Sequence, residues 1–294
     1  MEADLIEQNQ EFVLPDALEV IQGQGGQPCF DLQTEACRGR QYLLGATVTD
    51  WQPAGYQPVL FTSAESAFAD GEAIHGGVPI CFPWFSDHPS EKGAPKHGLV
   101  RQRLWSPVQT GKGPDGQVQT EMVYKLDLLH AHFRVEFGRE LAMHLAVTNS
   151  SDSDQTFEAA LHTYLSVGDV RHVSITGLEG VGYTDALRPE AGRQRDEGPI
   201  TFDAELDRVY HDTADTCVLH DPGLGRRVTV AKTGGRSTIV WNPWIDKSRR
   251  MSGFGDDEWP VMCCIESAAV RDDAITLGPG QTHTLSVNVS VERA

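Results

Sequence analysis

Aromatic, imidazole and guanidinium side chains occur close together in one part of the sequence. They lie in a segment that runs from Gly76 to Phe85 and resumes from Lys96 to Arg101, with His75 directly before it and Trp84 and His97 within it. Its glycines and prolines favour loops over long helices. Aromatic rings stack on the apolar faces of a sugar, while arginine and histidine bind its oxygens or a phosphate. A single aromatic is more often a core residue, but the whole segment indicates a sugar-binding loop.

Basic residues cluster at the end of this segment. Lys96, Arg101 and Arg103 are the candidates for an anion site. Because Arg101 and Arg103 are two residues apart, they would share one face of an extended chain and could bind a single anion. The same spacing also fits a solvated basic edge, and the sequence leaves both interpretations open.

Three more candidates follow apolar or aromatic runs further along the chain. His162 follows a strand-like apolar run, where a lone histidine is usually a core residue. Trp241 and Asn242 belong to a Trp-Asn-Pro-Trp sequence for which a structural turn is the simplest interpretation. Glu266 ends an apolar stretch that begins at Met262, so it is either paired structurally or has a raised pKa suited to proton transfer.

Charge and cysteine content restrict the possible partners and location. The 294 residues include 42 acids and 24 bases, and the formal charge of -18 argues against binding to nucleic acid or an anionic membrane. An anionic ligand therefore needs a local basic site. We expect a cytoplasmic protein, because the sequence has neither a secretory signal pattern nor a long apolar stretch. The six cysteines include no Cys-x-x-Cys pair, and we expect them to be reduced and mostly buried.

Motifs for cofactor chemistry are missing from the sequence. It has no Gly-x-Gly-x-x-Gly dinucleotide motif, no Walker motif, no Gly-x-Ser-x-Gly elbow and no His-Glu-x-x-His. His130 and His132 could present two imidazoles on one strand face, but two ligands without a third are weak support for a metal. We therefore expect neither a cofactor nor a metal.

Strand patterns outnumber helix patterns. Apolar residues alternate with polar or small ones from Leu141 to Val147 and again from Leu285 to Val291, as in half-buried strands. Further strands are predicted at residues 157–167, 227–232 and 237–241, a hairpin tip at 111–116, and a short helix at 246–252 that Gly253 would end. The pattern predicts one large antiparallel β-sandwich over residues 1–294, with long loops that carry the chemistry.

Taken in order, these segments resemble the aldose 1-epimerase family, and most closely its hexose-6-phosphate mutarotase branch. The segments that carry the resemblance are Gly76–Phe85, Lys96–Arg101, Leu161–Asp169, Asp207–Tyr210, Val240–Trp244 and Cys264–Glu266. Each is weakly diagnostic alone, but the series spans most of the chain. The resemblance implies an all-β fold, the large antiparallel supersandwich of galactose mutarotase.

The resemblance also implies an isomerase that interconverts the α and β anomers of a hexose 6-phosphate without a cofactor or metal. It makes Glu266 the general base and His162 the general acid, with His97 and Asp207 as sugar-binding groups and Arg101 near the phosphate. We also place His75, Trp84, Trp241 and Asn242 among the sugar contacts, and Lys96 and Arg103 with Arg101 at the phosphate. The expected partner is a small sugar or sugar phosphate, and a monomer is favoured.

One position departs from the pattern of the phosphosugar branch. The residue before the paired glycines is usually an arginine that helps to bind phosphate, and here it is His75. Imidazole lacks the guanidinium fork and is only partly charged near neutral pH, so KM for a phosphosugar should rise as His75 deprotonates. This departure leaves the substrate open, and a mutarotase of an unphosphorylated aldose is the nearest alternative. A non-catalytic sugar-binding protein of the same fold is a separate alternative, which the presence of both His162 and Glu266 argues against. A glycoside hydrolase would need two carboxylates that flank the glycosidic bond, and Glu266 is the only carboxylate supported by a motif for that role.

Overall fold

The computed structural model describes residues 2–294, and most of its regular structure is β-strand. In chain order, the first eleven strands are β1 Leu18–Gln22, β2 Pro28–Gln33, β3 Cys37–Tyr42, β4 Val48–Pro53, β5 Ile80–Cys81, β6 Ser106–Lys112, β7 Val118–Lys125, β8 Leu129–Phe137, β9 Leu141–Asn149, β10 Gln155–Phe157 and β11 Ala159–Leu161. The others are β12 Tyr164–Ser166, β13 Ser174–Thr176, β14 Tyr183–Asp185, β15 Arg193–Gln194, β16 Leu206–Tyr210, β17 Cys217–Asp221, β18 Arg226–Thr233, β19 Ser237–Asn242, β20 Met262–Ala269, β21 Ile275–Leu277 and β22 Thr282–Arg293.

Helices are short. The α-helices are α1 Glu2–Gln8 and α2 Trp244–Ser248. Single 3-10 turns lie at Gln10–Phe12, Gln24–Gly26, Val100–Gln102, Val170–His172, Pro189–Ala191, Trp259–Val261 and Arg271–Asp273. Within residues 2–294, no helix combines the length and the apolar character needed to cross a membrane.

Two eight-stranded sheets make up most of the fold. The first, which we call the site sheet, has the order β15-β14-β16-β19-β20-β11-β5, and β12 also pairs with β20. The second, the back sheet, has the order β13-β17-β18-β22-β9-β8-β7-β6. A four-stranded sheet of β1 to β4 and the β10-β21 pair complete the set, and the pairings between these strands are antiparallel. The predicted all-β antiparallel sandwich is confirmed.

Side-chain alternation places the back sheet on the core. Residues of β8 and β9 are alternately buried and half-buried along their whole length, as the sequence pattern predicted for Leu141 to Val147. The apolar side chains of β9 and β22 pack in one hydrophobic cluster with Cys263 and Ile265 of β20. The core therefore lies between the inner faces of the two large sheets.

Strand β20 has no such alternation, because both of its faces are buried. All eight residues from Met262 to Ala269 are buried. Cys263 and Ile265 face the core between the sheets, whereas Cys264 belongs to a second cluster with Tyr164 and Trp241 on the opposite face. A strand covered on both faces needs a continuous apolar run, and Glu266 is the carboxylate within it.

The predicted elements are confirmed, with two differences in extent. The segment 157–167 contains strands β11 and β12, but His162 and Thr163 between them lie outside both. The helix predicted at 246–252 is α2, which begins two residues earlier and ends at Ser248, because the chain turns at residues 249–250, ahead of the left-handed Gly253. The hairpin tip joins β6 to β7, where the Gly113 N–H donates to the Gln117 carbonyl at 2.8 Å.

Close backbone contact at Gly98 joins the two halves of the sugar-binding loop predicted from the sequence. Gly98 forms a bridge with Phe82, and the Leu99 N–H donates to the Phe82 carbonyl at 2.9 Å. Gly98 has φ +82, and a Cβ there would lie 2.0 Å from the Phe82 carbonyl oxygen. Only glycine combines this conformation with so close an approach.

Gly98→Ala should therefore destabilise the protein strongly. Gly71→Ala is the matched control, since Gly71 has the same φ of +82 but no atom near its virtual Cβ. Both variants incur the cost of a left-handed alanine, and only Gly98→Ala adds a backbone clash, so we expect it to lose about 1–3 kcal/mol more in free energy of unfolding. Denaturant unfolding measures the difference, and equal losses in the two variants would contradict the argument.

Candidate active site

One face of the site sheet forms the floor of a cavity. The β16-β19 register pairs Asp207 with Trp241 and Val209 with Ile239, and the β19-β20 register pairs Trp241 with Cys264 and Ile239 with Glu266. Side chains two residues apart share a face of a strand, as do directly opposed residues of neighbouring strands. Asp207, Trp241 and Glu266 are thus brought together by register, although the sequence separates them widely.

The same register sets His162 opposite Glu266. Leu161 of β11 pairs with Ser267 and Tyr164 of β12 pairs with Cys264, so the alignment continues across the two intervening residues. The Ile265 N–H donates to the Thr163 carbonyl at 3.2 Å and keeps the strands together there. His162 Nε2 lies 3.3 Å from Glu266 Oε1, and both side chains are buried.

Two aromatic rings fix the orientation of the His162 imidazole. The Tyr164 ring stacks on it with a centroid distance of 4.7 Å and an angle of 15°. The Trp241 ring meets both of them edge-on, with centroid distances of 5.9 Å. His162 Nδ1 and Glu266 Oε2 are buried without a hydrogen-bond partner among the described residues. The facing atoms Nε2 and Oε1 are therefore the ones available for proton transfer.

Loops and the short helix α2 build the walls above this floor. The cavity has a volume of about 280 Å³. In addition to the floor residues, it is lined by His75, Phe85, Ser86, Lys96, His97, Arg101, Ala186, Lys247, Met251 and Arg271. A volume near the lower end of the range for ligand pockets fits a molecule the size of a monosaccharide.

His97 enters the cavity from a strained turn and is held by the backbone. It has φ +65, and its N–H donates to the Ser86 carbonyl at 2.7 Å. The Ser86 N–H donates in return to His97 Nδ1 at 3.3 Å, so the neutral ring carries its proton on Nε2. Burial lowers the pKa of His97 to about 3, and the charges of Arg101, Lys96, Lys247 and Arg271 contribute. His97 is therefore a neutral hydrogen-bond donor at physiological pH.

Known proteins have a similar fold and a related sequence. Residues 28–290, nearly the whole chain, match the aldose 1-epimerase family. The chain belongs to the aldose 1-epimerase family. It is accordingly an isomerase of the epimerase and mutarotase type.

Individual relatives of this aldose 1-epimerase family member are moderately similar to it. A Cenchrus ciliaris protein is 31% identical over 83% of this chain and 78% of its own length. One from Escherichia coli K12 is 34% identical over 77% of this chain and 78% of its own length, and both carry the provisional name glucose-6-phosphate 1-epimerase. A Salmonella typhimurium structure provisionally described as a mutarotase superposes with a TM-score of 0.88 over 96% of each chain at 24% identity, which shows the shared fold.

Burial perturbs both members of the His162–Glu266 pair. Burial raises the pKa of Glu266 well above its ordinary value; the nearby Asp207 raises it further, and Arg101 opposes the shift. Burial lowers the pKa of His162 well below its ordinary value, and His97 and Arg101 add to the effect. Burial thus disfavours a lone charge on either group, and the 3.3 Å contact between His162 Nε2 and Glu266 Oε1 is short enough for the two groups to share a proton.

These shifts favour one direction of proton transfer. A carboxylate whose pKa is raised is a stronger base, and an imidazolium whose pKa is lowered is a stronger acid. A step in which Glu266 takes a proton and His162 gives one ends in the neutral pair that burial favours. The arrangement thus suits concerted acid–base chemistry on two neighbouring oxygens.

The structure brings most of the sequence-predicted site residues together. His75, Lys96, His97, Arg101, His162, Asp207, Trp241 and Glu266 all line the cavity. Trp84, Asn242 and Arg103 are not among its lining residues. The Trp84 Nε1–H donates to the Pro95 carbonyl at 3.0 Å, and Asn242 Nδ2 donates to the Trp259 and Met262 carbonyls at 2.9 Å each. Both therefore support the backbone around the site.

The position of Arg103 differs from the sequence expectation for a physical reason. A shared face with Arg101 required an extended chain, whereas Val100–Gln102 forms a 3-10 turn. Arg103 is exposed beyond that turn. Arg101 is instead held inward, where its Nη2 donates to the Lys96 carbonyl at 2.8 Å.

Sequence reasoning missed two cations of the cavity, Lys247 and Arg271. Lys247 lies on α2, where its Nζ is 3.1 Å from Glu205 Oε1 and 3.7 Å from Asp207 Oδ2. The sequence could have indicated Lys247, because it follows the Trp-Asn-Pro-Trp segment within one helical turn of Trp244. Arg271 lies in the turn after β20, and only its closeness to Glu266 in the sequence could have drawn attention to it.

The tautomer and charge of His97 provide a direct test of this geometry. In the ligand-free protein, nitrogen NMR should show Nδ1 as the unprotonated acceptor and Nε2 as the protonated atom. The signals should not titrate between about pH 5 and pH 8, where an unperturbed imidazole with a pKa of about 6.5 changes charge. A His97→Gln variant assigns the signals, and a titration midpoint above pH 6 would contradict the structure.

Proposed function

We propose that this isomerase acts on a hexose 6-phosphate and interconverts its α and β anomers. The observation that carries the proposal is the charge of the cavity: its lining includes the cations Lys96, Arg101, Lys247 and Arg271 against the two carboxylates Asp207 and Glu266. The whole chain has a formal charge of -18. A basic cavity in so acidic a protein favours an anionic ligand. The names of the Cenchrus ciliaris and Escherichia coli relatives support the same substrate class.

In the proposed mechanism, Glu266 and His162 open and close the sugar ring. Glu266 Oε1 takes the proton of the C1 hydroxyl, the C1–O5 bond breaks, and O5 takes the proton of the His162 imidazolium. The products are a free aldehyde, a carboxylic acid and a neutral imidazole. Rotation about C1–C2 and attack of O5 on the other face of C1, with both protons returned, give the second anomer. The balance requires no oxidant, metal or co-reactant.

The other cavity residues orient the sugar in this proposal. His97 donates through Nε2 to a sugar oxygen, since its Nδ1 is occupied by the Ser86 N–H. Asp207 accepts from a hydroxyl; burial raises the pKa of this carboxyl, and Lys247 opposes the shift. The Trp241 indole covers an apolar face of the ring.

We place the phosphate at Lys96 and Arg101. Arg101 Nη2 is anchored on the Lys96 carbonyl, and its Nε is buried without a partner among the described residues. A guanidinium held in this way presents a preorganised fork to a phosphate. Arg103, which the sequence suggested as a third member, is exposed outside the cavity.

His75 contributes little charge to this site. Burial lowers its pKa to about 4, and the charge of Arg101 contributes. His75 is therefore neutral from about pH 5 upward, so the expected rise of KM as it deprotonates near neutral pH no longer follows. In the proposal, His75 is a neutral polar residue that lines the cavity.

We also propose a cytoplasmic location. All six cysteines are free and buried in the structure. Unpaired cysteines are typical of reducing compartments. Localisation of a tagged chain by fluorescence microscopy or cell fractionation tests this point.

The acid–base assignment predicts large kinetic losses at two positions. Glu266→Gln and His162→Ala should each lower kcat for anomer exchange of glucose 6-phosphate by about 10²–10⁴-fold, because each removes one partner of the proton transfer. NMR exchange spectroscopy, corrected for uncatalysed mutarotation, measures the rate. Glu292→Gln is the control, since it removes an exposed carboxylate on β22. Wild-type exchange in either folded site variant would refute the assignment.

The phosphate assignment predicts an effect that depends on the substrate. Arg101→Ala should raise KM for glucose 6-phosphate by about tenfold or more, as for the loss of charge-assisted hydrogen bonds, and should change kcat/KM for glucose much less. Arg103→Ala is the matched control because it removes an arginine two residues away but outside the cavity. If Arg101→Ala affects both sugars equally, an unphosphorylated aldose becomes the better substrate.

A further inference from the structure

Arg271 occupies an unfavourable backbone conformation at the edge of the cavity. It has φ +59, in the left-handed region that disfavours every side chain and that glycine adopts freely. It follows strand β20 and lines the cavity, yet the residue as a whole is exposed. A residue that keeps a long cationic side chain at such a position calls for an explanation other than packing.

A single carboxylate fixes the turn at Arg271 to the opposite wall of the cavity. Glu158 Oε1 accepts from the Arg271 N–H at 2.6 Å, and Glu158 Oε2 accepts from the Phe85 N–H at 2.9 Å. The Glu158 N–H itself donates to the Pro83 carbonyl at 2.9 Å. The main chain of Arg271 is thus attached to the sugar-binding loop, while its guanidinium takes no part in the attachment.

The carboxylates nearest to Arg271 in the sequence are engaged elsewhere. Asp272 Oδ2 lies 3.0 Å from Arg193 Nη2, and Asp273 Oδ2 accepts from the Arg236 N–H at 2.5 Å. Within residues 2–294, the Arg271 guanidinium forms neither an ion pair nor a hydrogen bond. An unpaired guanidinium is therefore available to a ligand in the cavity.

The four cations that line the cavity differ in whether a carboxylate lies beside them. Lys96 lies 3.1 Å from Asp87, and Lys247 lies 3.1 Å from Glu205. Arg101, like Arg271, has no carboxylate partner among the described residues, and its contact is with the Lys96 carbonyl. The two guanidinium groups thus have no carboxylate partner among the described residues, whereas each ammonium group has a carboxylate oxygen 3.1 Å away.

We infer that Arg271 is a specificity-determining residue that binds the phosphate of the sugar together with Arg101. The inference rests on the proposed function and adds a second guanidinium to it. Two forks satisfy the three terminal oxygens of a phosphate better than one. His75, which also lines the cavity, cannot supply this second bidentate donor, because an imidazole presents single donors.

Replacement of Arg271 by glycine separates the ligand role from a structural one. Arg271→Gly removes the guanidinium and relieves the left-handed backbone, so the melting temperature should not fall. KM for glucose 6-phosphate should nevertheless rise about tenfold, with kcat/KM for glucose changed less than about twofold. Arg271→Lys keeps the charge without the fork and should give an intermediate KM.

Two controls match this variant. Asp16→Gly relieves a left-handed residue with φ +62 that is exposed and does not line the cavity, so it should change stability without changing KM. The double variant Arg101→Ala/Arg271→Gly should raise KM by a factor that differs from the product of the single effects, because both groups bind one phosphate.

The outcomes distinguish this inference from the proposed function. An unchanged KM for glucose 6-phosphate in Arg271→Gly, or equal losses for both sugars, would overturn the role of Arg271. If Arg101→Ala still loses the preference for the phosphorylated sugar in that case, the proposed function stands. A wild-type protein that shows no preference for glucose 6-phosphate over glucose would overturn both.

Discussion

The contact between His162 and Glu266 is the constraint on which the site depends, and it follows from a strand buried on both faces. Strand β20 packs Cys263 and Ile265 on the core and presents Glu266 to the cavity. Burial makes a single charge on either partner costly, so proton gain by one is favourably coupled to proton loss by the other. The stacking of Tyr164 and the edge contact of Trp241 keep the imidazole in place for that exchange.

The fold was predictable because strand patterns are local features of the sequence. The pairing of His162 with Glu266 depends instead on the register between strands that are far apart in the sequence. Alternation identified β9 and β22, whereas the sequence showed only an apolar stretch before Glu266, which the structure reveals as the doubly buried strand β20. Nothing local tells which residue of β20 faces His162, because that pairing depends on alignment across two irregular residues. The resemblance to a family supplied the assignment that the residue pattern left open.

Two of the predicted contacts that lie outside the cavity, Trp84 and Asn242, have a common cause. Trp84 and Asn242 belong to motifs that shape the site, but their polar groups satisfy backbone carbonyls. A motif therefore identifies a segment without showing which of its side chains reach the ligand. Arg271 is the opposite case: it belongs to no motif but lines the cavity. Its position follows from a left-handed turn that no pattern of residue types predicts.

The charge of the cavity links binding to the chemical step in the proposed mechanism. Burial is the main cause of the lowered pKa of His162, and the cation Arg101 adds to it, so the surroundings of His162 oppose formation of the imidazolium acid. A phosphate carries about -1.5 to -2 charges near pH 7 and offsets the field of the cations that bind it. Its arrival therefore raises the pKa of His162 toward its ordinary value and favours the protonated form, and it also raises the pKa of Glu266, on which Arg101 has the opposite effect. A phosphorylated sugar thereby helps to create the acid that opens its own ring, whereas glucose brings no such charge.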